Sequence, residues 1–361
     1  MNKISILVGA DICPTKNNIS FFSSGDINTI IGDELSTILQ KADFRIFNLE
    51  TPLTEELNPI DKCGPNLSTP KNCIKGIKML DPSLLSLANN HTIDQGEKGL
   101  LDTVNILEQY KIPFVGLSKN YYFLEKNDIK IGIFVCAEHE WCIESSFFDP
   151  LETPDNIYDL KKKCDYVIVL YHGGKENYRY PSPLLQKRFR KIAEKGADIV
   201  IAQHTHCVGC QEKYNNSILI YGQGNFIFNL RQDEYWNNAL LLNIIFTKDN
   251  FYIEYIPIFQ TKYGTKLAKD EIKEFIIKNF NERSLNILNK NFIENKYYEF
   301  AKSMNGFYLD RLQGNSFLHR IFYKLFRINI SKYYYSKKKL LILQNFVECE
   351  AHRELLLRGI K

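Results

Sequence analysis

Seven side chains able to hold or assist a metal ion stand where apolar runs end. Asp11 follows ISILVGA (4–10), and Glu50 closes FRIFNLE (44–50). Asn90 and His91 sit in SLANNHTIDQG (86–96). His172 ends CDYVIVLYH (164–172), and His204 and His206 end ADIVIAQHTH (197–206). The chain has only seven histidines, and four are at these positions, so scatter along the sequence is a poor explanation. Imidazole with carboxylate suits manganese, iron or zinc. Seven groups exceed what one tetrahedral ion with an open position takes. Two divalent ions sharing a carboxylate account for them better. Such a pair lowers the pKa of bound water and steadies both oxygens of an in-line displacement, which is phosphoester chemistry. His91, next to the ligand candidate Asn90, is then free to protonate a leaving oxygen.

Parallel strands must bring these groups together, because ligands in open α/β sheets bind beyond the carboxyl ends of strands. The pattern supplies them. β-branched apolar runs alternate with helical periodicity: helices over 27–41, 71–80, 96–110 and 183–195, and strands over 4–10, 44–50, 83–90, 164–172, 197–204 and 217–226. PFVGL and IKIGIFVCAE read as further strands, and NALLLNIIF with FYIEYIPIF as an antiparallel hairpin around Lys248-Asp249-Asn250. The alternation predicts an α/β domain built on a mainly central sheet.

At 361 residues the chain accommodates a large domain with an appendage. Net charge is +4 and unevenly spread. Residues 266–361 hold 19 basic and 10 acidic residues, a balance of +9; residues 1–265 hold 27 and 32, a balance of −5. The expected division is a catalytic-type domain over 1–264 and a basic α-helical region over 265–361, with Gly264 and Gly306 as breaks. Its aromatic and basic stretch, FLHRIFYKLFRINISKYYYSKKKLL, suits packing as a helical bundle or peripheral contact with an anionic membrane surface. No nucleic-acid module is visible. The nine cysteines follow no disulfide framework or four-cysteine zinc spacing. The opening MNKISILVGADICP reads as a strand, not a signal peptide, and no apolar run reaches transmembrane length. A cytoplasmic location with reduced thiols is the expectation. Cys207-x-x-Cys210 leads into a strand and reads as packing rather than redox, and His139 as a loop residue.

Five ordered stretches carry a resemblance. NLETPLT, SLANNHTIDQGEKGLLDT, YHGGKENY, EKGADIVIAQHTH and IYGQGNFIF resemble the motifs of the CapA-like bacterial capsule-synthesis proteins of the poly-γ-glutamate type. Those look like members of the calcineurin-like metallophosphoesterase superfamily. The resemblance covers residues 4–230 and implies a four-layer α/β sandwich around a dinuclear metal site, here with a C-terminal helical extension. It implies that Asp11, Glu50, Asn90, His172, His204 and His206 are metal ligands, with Glu50 bridging and His204 and His206 serving one ion each. It implies that His91 assists the leaving group and that Gly224 and Asn225 shape the site wall as a turn. Glu176 matches a family glutamate after the YHGG step, and Lys175, Glu176 and Arg179 are candidate substrate contacts. Cys13 stands where the wider superfamily has a histidine, and AQHTH where the family usually has GHHPH. The implied activity is hydrolysis of an anionic phosphoester in capsule or exopolysaccharide synthesis, alongside the capsule machinery. The alternatives are a metal-dependent hydrolase of poly-γ-glutamate and a non-catalytic assembly scaffold.

Overall fold

The computed structural model describes residues 3–62, 64–138 and 155–312, and then 321, 324–326, 335–348 and 352. His139 and most of the aromatic and basic stretch 317–341 lie outside the described residues. Contacts divide the chain into two compact units, 1–293 and 294–361.

In chain order the first unit holds β1 (Ile4–Ile12), α1 (Ile19–Ser24), α2 (Ile27–Lys41), β2 (Phe44–Leu49), α3 (Ile74–Met79), β3 (Leu84–Ser86), α4 (Gly96–Gln109) and β4 (Phe114–Val115). Then follow β5 (Tyr121–Lys126), β6 (Ile129–Ala137), α5 (Asp155–Lys161), β7 (Tyr166–His172), α6 (Pro183–Glu194) and β8 (Ile199–Gln203). The run continues with β9 (Gln211–Tyr214), β10 (Ser217–Ile220), β11 (Asn225–Ile227), α7 (Glu234–Asn237), β12 (Asn238–Phe246), β13 (Phe251–Gln260), β14 (Thr265–Leu267) and α8 (Asp270–Asn286).

The strands form two sheets, not one central sheet. One has the order β14-β13-β12-β1-β2-β3-β4, with β11 also paired to β1. The other has the order β5-β6-β7-β8-β10-β9. The alternation of side chains along a strand explains the layering. Ile4, Ile6 and Val8 of β1 join Ile131, Ile133, Val135, Ile168 and Leu170 in a core between the sheets. Leu7 and Phe47 point the other way, onto Phe22, Ile30, Leu35, Ile77 and Leu107 of α1 to α4. Phe134, Val167 and Val169 turn outward from the second sheet onto Ile157, Phe189 and Ile192 of α5 and α6. Strands buried on both faces read as continuous apolar runs, as these do. The result is four layers, helix–sheet–sheet–helix. Burying each large apolar side chain contributes roughly 1.5–3 kcal/mol.

Three expected elements need correction. The strand expected over 83–90 ends at Ser86, since the following side chains bond to backbone and to each other. The helix over 27–41 is broken at Gly32, whose φ of 75° is outside helical space. Residues 217–226 split into β10 and β11, which belong to different sheets. The expected hairpin of β12 and β13 is present in full, from Asn238↔Phe259 to Phe246↔Phe251.

The boundary expected at 264/265 differs from the division after Ile293. β14 pairs with β13, and Ile276 and Phe280 of α8 enter the core between the sheets. The second unit holds most of α9 (Phe292–Leu312) and α10 (Lys337–Glu348). Gly306 does not break α9. Among the described residues, no helix is long and apolar enough to cross a membrane.

Candidate metal centre

The parallel strands of both sheets end together, and the polar residues at those ends meet. Register places Asn225, Asp11 and Asn48 side by side across β11, β1 and β2. In the other sheet it places His172 beside Gln203. Glu50 is one residue beyond β2, its N–H bonded to the Ile12 carbonyl at 3.0 Å. His204 and His206 follow β8 with φ of 79° and 54°. Left-handed backbone is costly at a non-glycine residue, and here it aims two histidines at the strand ends.

Asp11, Glu50, Asn90, His172, His204 and His206 are all buried. His172 Nε2 lies 2.9 Å from Asn90 Oδ1 and 3.4 Å from Glu50 Oε1. His206 Nδ1 lies 3.6 Å from Asp11 Oδ2, and its Nε2 lies 4.0 Å from Glu50 Oε1. Two donor clusters result: Glu50 with His172 and His204, and Asp11 with Glu50 and His206. Glu50 belongs to both. Asp11 Oδ2, both Glu50 oxygens and His204 Nδ1 are buried without a hydrogen-bond partner. Buried polar atoms are normally paired, so four orphans in one place fit a group that accepts their lone pairs. Divalent cations do so, and the donor set is one that manganese, iron or zinc takes.

Electrostatics agree. Burial, then the nearby Glu50 charge, pushes the Asp11 carboxyl up to about 8. Burial raises Glu50 as well. Burial, with the neighbouring histidines, holds His172 and His204 well below the ordinary imidazole range. Neutral imidazole is the form that binds metal, whereas the carboxyls need positive charge nearby to ionise.

Side chains beyond the first set hold it in place. Asn48 donates to Asp11 Oδ1 at 2.8 Å and lies 3.3 Å from His172 Nδ1. Asn89 donates to Asn48 Oδ1 and to the Leu49 carbonyl, and its own oxygen accepts the His91 N–H. It braces the loop rather than merely turning it. His206 Nδ1 and Asn225 Oδ1 are 2.8 Å apart. Asn225 therefore orients a histidine, a role beyond the turn expected of it. His91 Nδ1 meets Asp94 Oδ2 at 2.6 Å, and Lys62 pairs with the other oxygen of that fully buried carboxyl. Sequence reasoning does not single out Asn48, Asp94 or Lys62. Asn48 had a signal: it lies two residues before Glu50, on the same face of the chain. Asp94 had a weaker one, three residues after His91. Lys62 had none.

A cavity of about 410 Å³ opens beside the centre, lined by residues that include Asn90, His91, His206, Glu176, Trp236 and Arg231. Lys175 and Arg179 are not among them. Arg179 is salt-bridged to Glu234 at 2.7 Å and stacked over Tyr235. Glu176 lies 4.0 Å from His204 Nε2 and forms a third donor set with His204 and His206. A carboxylate repels an anion, so its place suits a metal better than a phosphoester. Cys13 is a buried thiol packed with Phe228 and Trp236, and burial holds it protonated. Cys207 and Cys210 are buried free thiols, Cys210 within the outer apolar core.

A family model for the bacterial capsule synthesis protein PGA_cap matches residues 5–230. The chain belongs to that family. Capsule biosynthesis protein CapA of Bacillus anthracis is 26% identical over 242 residues, which are 61% of this chain and 56% of the relative. PGA biosynthesis protein CapA of Bacillus subtilis (strain 168) is 26% identical over 235 residues, 60% of this chain and 58% of the relative. The chain thus matches under three-fifths of the length of these family members. Among solved structures, a novel phosphatase of Mycoplasma pneumoniae aligns over 73% of this chain and 95% of its own, at 14% identity and a TM-score of 0.48. A putative 5'-nucleotidase of Staphylococcus aureus aligns over 78% and 58%, at 16% identity and 0.43.

Proposed function

We propose that this capsule-family chain is a phosphoester hydrolase dependent on two divalent metal ions. The observation that carries the reading is Glu50, a buried carboxyl common to two donor clusters, with both oxygens orphaned. Asp11, Glu50 and His206 would hold one ion, and Glu50, Asn90, His172 and His204 the other. When bound, such a pair activates water and neutralises charge on the transferring phosphoryl group. The chain's own contribution is positioning and a proton. Asn48 and Asn225 orient Asp11 and His206. Asp94, held by Lys62, accepts from His91 Nδ1 and leaves Nε2 to give a proton to the departing oxygen. The substrate is an anion, an ester of the polyanion capsule pathway, and the basic helices would keep it near the capsule machinery.

The test combines elemental analysis with turnover of aryl phosphomonoesters and phosphodiesters in manganese. The expected outcome is about two ions per chain. His91→Ala should cut kcat by roughly 10²–10⁴-fold with metal retained. Two ions with no turnover on any phosphoester would move the reading to amide hydrolysis. Failure to bind metal after reconstitution would overturn it in favour of a scaffold.

A further inference from the structure

Two arginines beside the centre are stacked on aromatic rings, and they differ in one respect. Arg179 lies 3.5 Å from the Tyr235 ring centroid and spends its charge on Glu234. Arg231 lies 3.3 Å from the Trp236 centroid, and among the described residues no carboxylate is in salt-bridge contact with it, the charges of Glu176 and Asp233 reaching it only from farther off. Trp236 is buried, its Nε1 donates to the Asn229 carbonyl at 2.7 Å, and its ring is 4.5 Å from that of His206. The Arg231 backbone is pinned at both polar atoms: its N–H donates to Asn237 Oδ1, and its carbonyl accepts from Asn237 Nδ2. Arg231 lines the same cavity as Asn90, His91 and His206. Among the described residues, the only other cation lining that cavity, Lys62, is engaged by Asp94.

A guanidinium has five donors in a planar fork that matches carboxylate and phosphate, and stacking fixes its plane. Here the fork is held one aromatic ring away from a candidate metal ligand, with its donors uncommitted. We infer that Arg231 recognises a second anionic group of the substrate, so that the substrate class is a phosphoester carrying a further carboxylate or phosphate. This inference rests on the proposed phosphoesterase site, since the reacting phosphoryl group must occupy the metal end of the cavity. Glu176, on the same cavity, belongs to the donor set at the metal end and acts on Arg231 only from a distance.

The test is calorimetric titration of the manganese-loaded full chain with orthophosphate, pyrophosphate and phosphonoacetate, with metal content measured before and after. The wild type should bind one of the two doubly anionic probes about tenfold or more tightly than orthophosphate. Whichever is preferred tells phosphate from carboxylate as the second group. Arg231→Ala should abolish the preference while binding of orthophosphate and metal persists, and Arg231→Lys should restore part of it. Arg179→Ala, outside the cavity, should leave it intact. A wild type without preference, or an equal preference in Arg231→Ala, would overturn the inference alone. A wild type that takes up metal but binds no orthophosphate would overturn the site reading and this inference together.

Discussion

Asp11 and Glu50 are carboxyls that the fold has stripped of water. Burying such a charge is expensive unless something pairs with it. The metal-free chain therefore carries a cost that a bound cation would remove. Folded, Asp11 keeps its proton to about pH 8; unfolded, it loses it near 3.8. The folded state binds more protons across that window, so stability falls as pH rises. His172 and His204 act in the opposite sense, but only below their ordinary value of 6.5, where the unfolded chain is the one that binds protons. Between about pH 6.5 and 8 the carboxyls thus decide the slope. Thermal unfolding in chelator should show a falling Tm across that window, and saturating manganese should remove the fall. Glu50→Gln should unfold no more readily than wild type in chelator, yet lose at least one ion. A large loss of metal-free stability in Glu50→Gln would make Glu50 a structural residue instead.

At the scale of elements, short and strained connections do the placing. β11 has only three residues, yet it sets Asn225 beside Asp11 and within reach of His206. Gly224 enters it with a φ of 80°, and a Cβ there would lie 2.6 Å from the Asn238 carbonyl. Gly224→Ala should cost roughly 1–3 kcal/mol in denaturant unfolding. It should also weaken metal binding, because β11 cannot shift without moving Asn225. Unchanged metal affinity in a destabilised Gly224→Ala would detach the turn from the site. The same logic explains the loop after β3: Asn89 bonds to Asn48, to Leu49 and to His91, so it braces the turn that carries Asn90 and His91.

The molecule as a whole is organised around the seam between two sheets, and α8 belongs to that organisation. Arg283 donates to the carbonyls of Gly209 and Val208, and the Gln211 N–H donates to Ser284 Oγ. A chain ending at Ile293 should keep a cooperative unfolding transition and its metal. One ending at Gly264, without β14 and α8, should lose solubility or cooperativity in the same assay. Equal behaviour of the two would put the boundary back at residue 264.

Sequence alone determined the elements with strong periodicity and the residue types at their ends: Asp11, Glu50, Asn90, His172, His204 and His206 could be picked out because apolar runs stop at them. Local spacing also carried the β12–β13 hairpin, since its turn and both strands are contiguous. What only the tertiary structure decided are relations between distant segments. The parting of β10 and β11 into different sheets depends on which edges they meet, not on their own apolar pattern. Asp94 with Lys62, Trp236 with His206, and the contrast between Arg231 and Arg179 depend on which side chains the closed fold brings within reach. The sharing of Glu50 is of the same kind. A sequence shows that a carboxylate is present; only the meeting of two sheets shows that it belongs to two donor clusters at once.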